Sequence, residues 1–132
     1  MKGFTTNLEE MTVQNSNFRK VLYTSKHAQL VLMSLKPGED IGLETHAAND
    51  QFFRFEKGQG KCIVDDNEYL VTDGSCLVVP AGAQHNIINV SETDDLKMYT
   101  IYSPANHKDG IIGATKQIAA ENDVEFDGVT TE

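Results

Sequence analysis

The sequence predicts an all-β fold, a sandwich or barrel. Three observations carry this: a succession of short apolar runs of strand length, clusters of Gly, Pro, Asn and Asp between them, and scarcely any helical periodicity. At 132 residues the chain fits one domain that can bury its own core without staples.

Residues 1–16 are polar and irregular, with a single helical turn expected near residues 8–11. The barrel proper is expected over residues 17–104, beginning with strands at 18–23 and 29–35. The turn Pro37-Gly38-Glu39-Asp40 follows, then an extended stretch at 42–46 and an aromatic strand at 51–56. Lys57-Gly58-Gln59-Gly60 turns the chain into 61–64, and Asp65-Asp66-Asn67 closes a hairpin with 68–71. An apolar run at 75–79 ends at Pro80-Ala81-Gly82-Ala83, before strands at 84–90 and 96–102. Residues 105–132 read as a C-terminal extension with a short helix at 116–122 and a frayed acidic end.

Composition excludes several partners. The formal charge of −9 comes from 20 acidic and 11 basic residues, and five of the acidic ones (Glu121, Asp123, Glu125, Asp127, Glu132) fall in the last twelve positions. No basic stripe is present, which argues against nucleic acid and anionic membrane as partners and leaves a small molecule. Cys62 and Cys76 lie in apolar strand runs, not in a CxxC pair, and read as two buried free thiols. The start MKGFTTNLEE has no apolar leader core, and no apolar run reaches spanning length, so a cytoplasmic protein is expected.

Strand periodicity orients the polar residues worth attention. Glu44 and His46 are two apart and share a face; Gln51 shares one with Phe53 and Phe55; His85 shares one with Ile87 and Asn89. Apolar companions of this kind belong to inward faces. Arg54 alternates outward, toward either a subunit contact or an ion pair with an acidic neighbour. His27 falls in a hairpin turn and is expected in solvent.

Two spaced motifs tie these residues together. Gly38, Glu44, His46, Gln51 and Gly58 reproduce every interval of G-x5-H-x-H-x3-4-E-x6-G, and Gly74, Pro80, Gly82, His85 and Asn89 match G-x5-P-x-G-x2-H-x3-N without exception. The chain thereby resembles the cupin superfamily, whose fold is a double-stranded β-helix (jelly-roll) barrel. The stretches GEDIGLETHAANDQFFRFEKGQG, VPAGAQHNIIN and LKMYTIYSPANHKDG further resemble small cupins of the mannose-6-phosphate isomerase-like group. By that resemblance Glu44, His46, Gln51 and His85 stand where the family places three His and one Glu around a divalent ion. The first His is replaced by Glu44 and the Glu by Gln51, so one carboxylate remains and has changed places. The resulting N2O2 donor set suits one divalent transition metal ion: Zn, Fe, Mn, Ni or Co. Asn89 is expected to support His85 or a turn by hydrogen bonding. Homodimers are common in the family, through N-terminal strands, and a homodimer is expected here.

Tyr99, Tyr102 and His107, on the last strand and its exit loop, are candidate proton donors at the barrel mouth, or simply packed aromatics. Three functions stay open. One is an isomerase, tautomerase or lyase acting on a small polar carbonyl or sugar-type substrate. Another is a non-haem metal dioxygenase on the same ligands. The third is a non-catalytic module that binds a small molecule.

Overall fold

The computed structural model describes residues 1–132. Ten strands run in chain order: β1 (Arg19–Thr24), β2 (Gln29–Leu35), β3 (Glu44–Thr45), β4 (Asp50–Lys57), β5 (Gln59–Val64), β6 (Asn67–Thr72), β7 (Cys76–Val79), β8 (Gln84–Asn89), β9 (Leu96–Ser103) and β10 (Ile112–Gly113). They form two antiparallel sheets, ordered β10-β1-β2-β9-β4-β7 and β3-β8-β5-β6. The fold is all-β, a jelly-roll barrel closed by facing sheets, as the strand pattern predicts.

The register of the larger sheet defines rows of side chains that point into the barrel. Arg19, Met33, Met98 and Phe55 occupy one row; Val21, Val31, Thr100, Phe53 and Leu77 the next; Gln29, Tyr102, Gln51 and Val79 a third. The interior therefore grades from apolar to polar along the barrel. Leu35, Phe55, Cys62, Leu96 and Met98 are fully buried at one end, while Thr24, Gln29, Gln51, Thr100 and His85 are as deeply buried at the other.

The chain ends differ from their sequence reading. The expected turn near residues 8–11 is a two-turn helix, α1 (Leu8–Gln14), capped by Asn7, whose side chain accepts from the Glu10 amide. Glu9 and Glu10 in its first turn complement the helix dipole. The C-terminal extension is not frayed. β10 pairs with β1, a second helix α2 (Lys116–Glu121) follows, and the Thr131 amide donates to the Thr24 carbonyl. The last side chain, Glu132, accepts from the Lys2 and Gly3 amides and from the Tyr23 hydroxyl. A polar tail can be held by main-chain bonds that its composition does not announce.

Cys76 corrects the expectation of two buried thiols. Both cysteines are free, but only Cys62 is buried, where loss of hydration pushes its thiol up to about 12. β7 ends its sheet and buries only Leu77 and Val79, leaving Cys76 and Val78 outside. Arg54 does point outward and forms an ion pair with Glu56 at 3.1 Å. His27 is exposed. No helix is long and apolar enough to cross a membrane.

Candidate metal centre

Glu44 and His85 are direct register partners on β3 and β8, so their side chains leave the smaller sheet on the same face. His46 follows β3 immediately, and its carbonyl accepts from the Gly82 amide at 2.9 Å, tying the middle of the first motif to the turn of the second. Glu44 Oε2 lies 3.2 Å from His46 Nε2, and the His46 and His85 rings are 5.4 Å apart between centroids. One donor atom from each of Glu44, His46 and His85 falls within 4.8 Å of the other two.

Gln51 approaches from the facing sheet, in the row of Tyr102. Its Nε2 donates to Thr100 Oγ1 at 3.0 Å, and its Oε1 is buried with no partner. His85 repeats the pattern. Its Nδ1 lies 3.3 Å from the Ala83 carbonyl, which takes the Nδ1 proton, and its Nε2 is left buried and unpaired. Buried acceptors without partners are rare and costly. The two here are those an ion would use, one imidazole nitrogen and one amide oxygen. The residues present therefore fit a divalent metal.

Electrostatics favour the same use. Burial lowers the His85 pKa and keeps the ring neutral, the form that coordinates. Burial raises the Glu44 carboxyl, but the His46 hydrogen bond and the charges of His46 and Arg19 outweigh it and leave Glu44 an acid stronger than usual.

The proton-donor candidates separate. Tyr99 is on the opposite face of β9 from Tyr102, with its ring 6.5 Å from Phe52 on the outside of the barrel, so it is away from the cluster. Alternation along the strand separates positions 99 and 102. Tyr102 and His107 do reach the polar end. The Tyr102 ring meets His46 edge-on at 5.6 Å, and its hydroxyl lies 3.2 Å from His107 Nε2. His107 Nδ1 faces the Asp123 carboxylate at 3.4 Å, while Asn106 Nδ2 approaches Nε2 at 3.4 Å. A carboxylate on one side and an amide donor on the other place the proton on Nδ1. His107 Nε2 then accepts from the Tyr102 hydroxyl, and Tyr102 presents oxygen lone pairs, not a proton, to the interior. Burial drives the Tyr102 pKa up and brings that of His107 down to about 4.

Asn89 supports turns and not His85. Its Nδ2 donates to the Leu35 and Asp94 carbonyls, and its Oδ1 accepts from the Ser91 amide. Gly58 has φ +100°, and a Cβ there would lie 2.6 Å from the Asp95 carbonyl oxygen, so that motif position requires glycine for both reasons.

Two residues near the centre escaped the sequence reading. Arg19 points inward on β1, a placement signalled only by its two-residue offset from Val21. Asp123 lay in a tail whose composition suggested solvent.

Residues 31–102 match the Cupin domain family. The chain belongs to the cupin family. This cupin is 51% identical over 112 residues to an uncharacterized protein of Acanthamoeba polyphaga mimivirus, across 83% of its own length and 70% of the relative's. It is 46% identical over 129 residues to the uncharacterized protein YrkC of Bacillus subtilis, across 92% and 69% of the two chains. Among solved structures, BH2720 from Bacillus halodurans superposes with a TM-score of 0.88 at 39% identity, covering 91% of this cupin and 95% of that chain.

Proposed function

We propose that this cupin is a divalent-metal enzyme acting on a small polar carbonyl or sugar-type substrate by isomerase, tautomerase or lyase chemistry. The observation that carries the reading is the cluster of Glu44, His46 and His85 with His85 Nε2 buried and unpaired, together with the equally unpaired Gln51 Oε1 on the facing sheet. These four residues would hold the ion, which supplies polarisation of a carbonyl or hydroxyl oxygen when bound. The chain's own part is to bind, orient and exclude water. Glu44 and His46 are half-buried at the mouth, and Gln51 and His85 close the floor. Tyr102, held by His107, accepts a hydrogen bond from a substrate hydroxyl. The likeness to mannose-6-phosphate isomerase-like cupins fits this reaction class.

The test is metal analysis followed by NMR of candidate substrates. Retained divalent metal together with proton exchange α to a carbonyl supports the reading. Protein that takes up no metal, or that exchanges no substrate proton with any metal, sinks it. A second reading has a specific observation of its own: Glu44, His46 and His85 form a two-His-one-carboxylate set, the arrangement of non-haem oxygenases. It predicts oxygen consumption with iron or nickel bound.

We also propose a homodimer, but not through β1, whose second edge is already taken by β10. β6 and β7 end their sheets and expose Leu70 and Val78, so pairing there is the favoured arrangement. Light scattering of Leu70→Lys against the unaltered protein tests it. Two free thiols fit a reducing compartment, and a cytoplasmic location is proposed on that basis.

A further inference from the structure

We propose that Arg19 is an anion anchor and that the substrate of this site is a small monocarboxylic acid. The inference rests on the metal-site reading above and narrows its substrate class. Arg19 occupies the inward row with Met33, Met98 and Phe55. Its side chain is only 11% exposed, and its Nε is buried with no hydrogen-bond partner. The one carboxylate paired with it, Asp123, stands off at 3.8 Å and is itself 56% exposed. A desolvated guanidinium with unused donors is expensive to keep in an empty barrel. It is well suited to a ligand that completes it.

Arg19 starts from an apolar row, but its guanidinium connects to the ligand cluster through Asp123, His107 and Tyr102. From Glu44 the groups follow without a break: His46 at 3.2 Å, the Tyr102 ring at 5.6 Å from that of His46, His107 at 3.2 Å from the Tyr102 hydroxyl, Asp123 at 3.4 Å from His107, and Arg19 at 3.8 Å from Asp123. The charge of Arg19 reaches Glu44, Tyr102 and His107 alike.

Charge selects the ligand. Glu44 and Asp123 each bring one negative charge and Arg19 one positive, so a divalent ion leaves the end with a single net positive charge. One carboxylate neutralises it and matches the planar fork of Arg19 with two parallel hydrogen bonds. A phosphomonoester, carrying roughly −1.5 to −2, overshoots beside two carboxylates. Asp123 holds the guanidinium loosely until the ligand arrives, and so competes with it.

The full-length protein is first titrated with manganese by calorimetry, then with pyruvate, methyl pyruvate and inorganic phosphate, following binding by NMR shifts. Pyruvate is expected to bind, and both other probes more weakly. Arg19→Gln is expected to weaken pyruvate by about 10- to 100-fold, leaving methyl pyruvate and manganese within about threefold. Asp123→Asn removes the competitor and is expected to tighten pyruvate by about threefold to tenfold. Because Asp123 is half-exposed, this variant keeps the test decisive if Arg19→Gln does not fold. No pyruvate binding to the unaltered protein overturns the proposal. So does equal binding by Arg19→Gln, weaker binding by Asp123→Asn, or phosphate binding more tightly than pyruvate. Failure to bind manganese defeats the metal reading and with it the charge match, but on metal-free protein weaker pyruvate binding by Arg19→Gln and tighter binding by Asp123→Asn still support the anchor, and no difference between the variants overturns it.

Discussion

Gln29 and Gln51 flank Tyr102 in one row of the larger sheet, and both are buried, yet their surroundings differ in kind. Gln29 uses its whole amide. Its Nε2 donates to Thr24 Oγ1 and the His107 carbonyl, and its Oε1 accepts from the Asn106 and His107 amides. Gln51 spends one donor on Thr100 and leaves its oxygen unpaired. One glutamine clamps the C-terminal extension onto the barrel; the other keeps an acceptor unpaired, as the proposed metal site requires. Burial alone does not separate a structural polar group from a functional one. Completeness of its hydrogen bonds does.

The largest expected effect breaks the clamp. Gln29→Leu leaves two amides, a carbonyl and a hydroxyl without partners, and is expected to cost about 4 kcal/mol in urea denaturation. Gln51→Leu, on the far side of β9, strands only the Thr100 hydroxyl and should change metal-free stability by less than about 1 kcal/mol. Equal losses at the two positions would erase the distinction between the two glutamines.

The next effect follows from what Gln29 clamps. His107 is buried neutral with its pKa brought down to about 4 from an ordinary 6.5, chiefly by burial and then by the charge of Arg19. Its folded pKa is the lower one, so the unfolded chain binds the proton first as pH falls. Stability is intact above pH 6.5 and falls by about 3 kcal/mol on descending to pH 4. His107→Gln should flatten that part of the profile, and an unchanged slope would assign it to other groups.

Smaller effects concern the open end. His85→Ala should lower metal affinity by more than about a hundredfold, beyond what losing a supporting residue costs. Calorimetry with manganese measures this. Gln51→Leu should lower it by about tenfold, the share of a neutral oxygen donor. If Gln51→Leu matches His85→Ala, the amide is a principal ligand, and a two-His-one-carboxylate set is excluded.

Much of this was legible before any fold was drawn. Spacing and period-two alternation placed Glu44 with His46, Gln51, and His85 on the inward faces of three segments, and donor atoms of Glu44, His46 and His85 come within 4.8 Å of one another. Alternation equally separates Tyr99 from Tyr102, since an odd offset on one strand means opposite faces. The apolar run at 75–79 misled on Cys76, because a run buried on both sides and an edge strand buried on one look alike without neighbours. The acidic tail misled further. Its charge suggested solvent, whereas main-chain bonds and Glu132 bind it to the barrel.

Sequence by itself therefore determined the barrel and singled out Glu44, His46 and His85, whose donor atoms come together, because both depend on short-range periodicity and turn chemistry. Only the tertiary structure decided that Arg19, His107 and Asp123 join them. Those three arrive from β1, an exit loop and a tail beyond α2, and no local pattern records which distant segments share the same end of a barrel. The tautomer of His107, and with it the role of Tyr102, was settled by one such distant neighbour, Asp123, together with the adjacent Asn106.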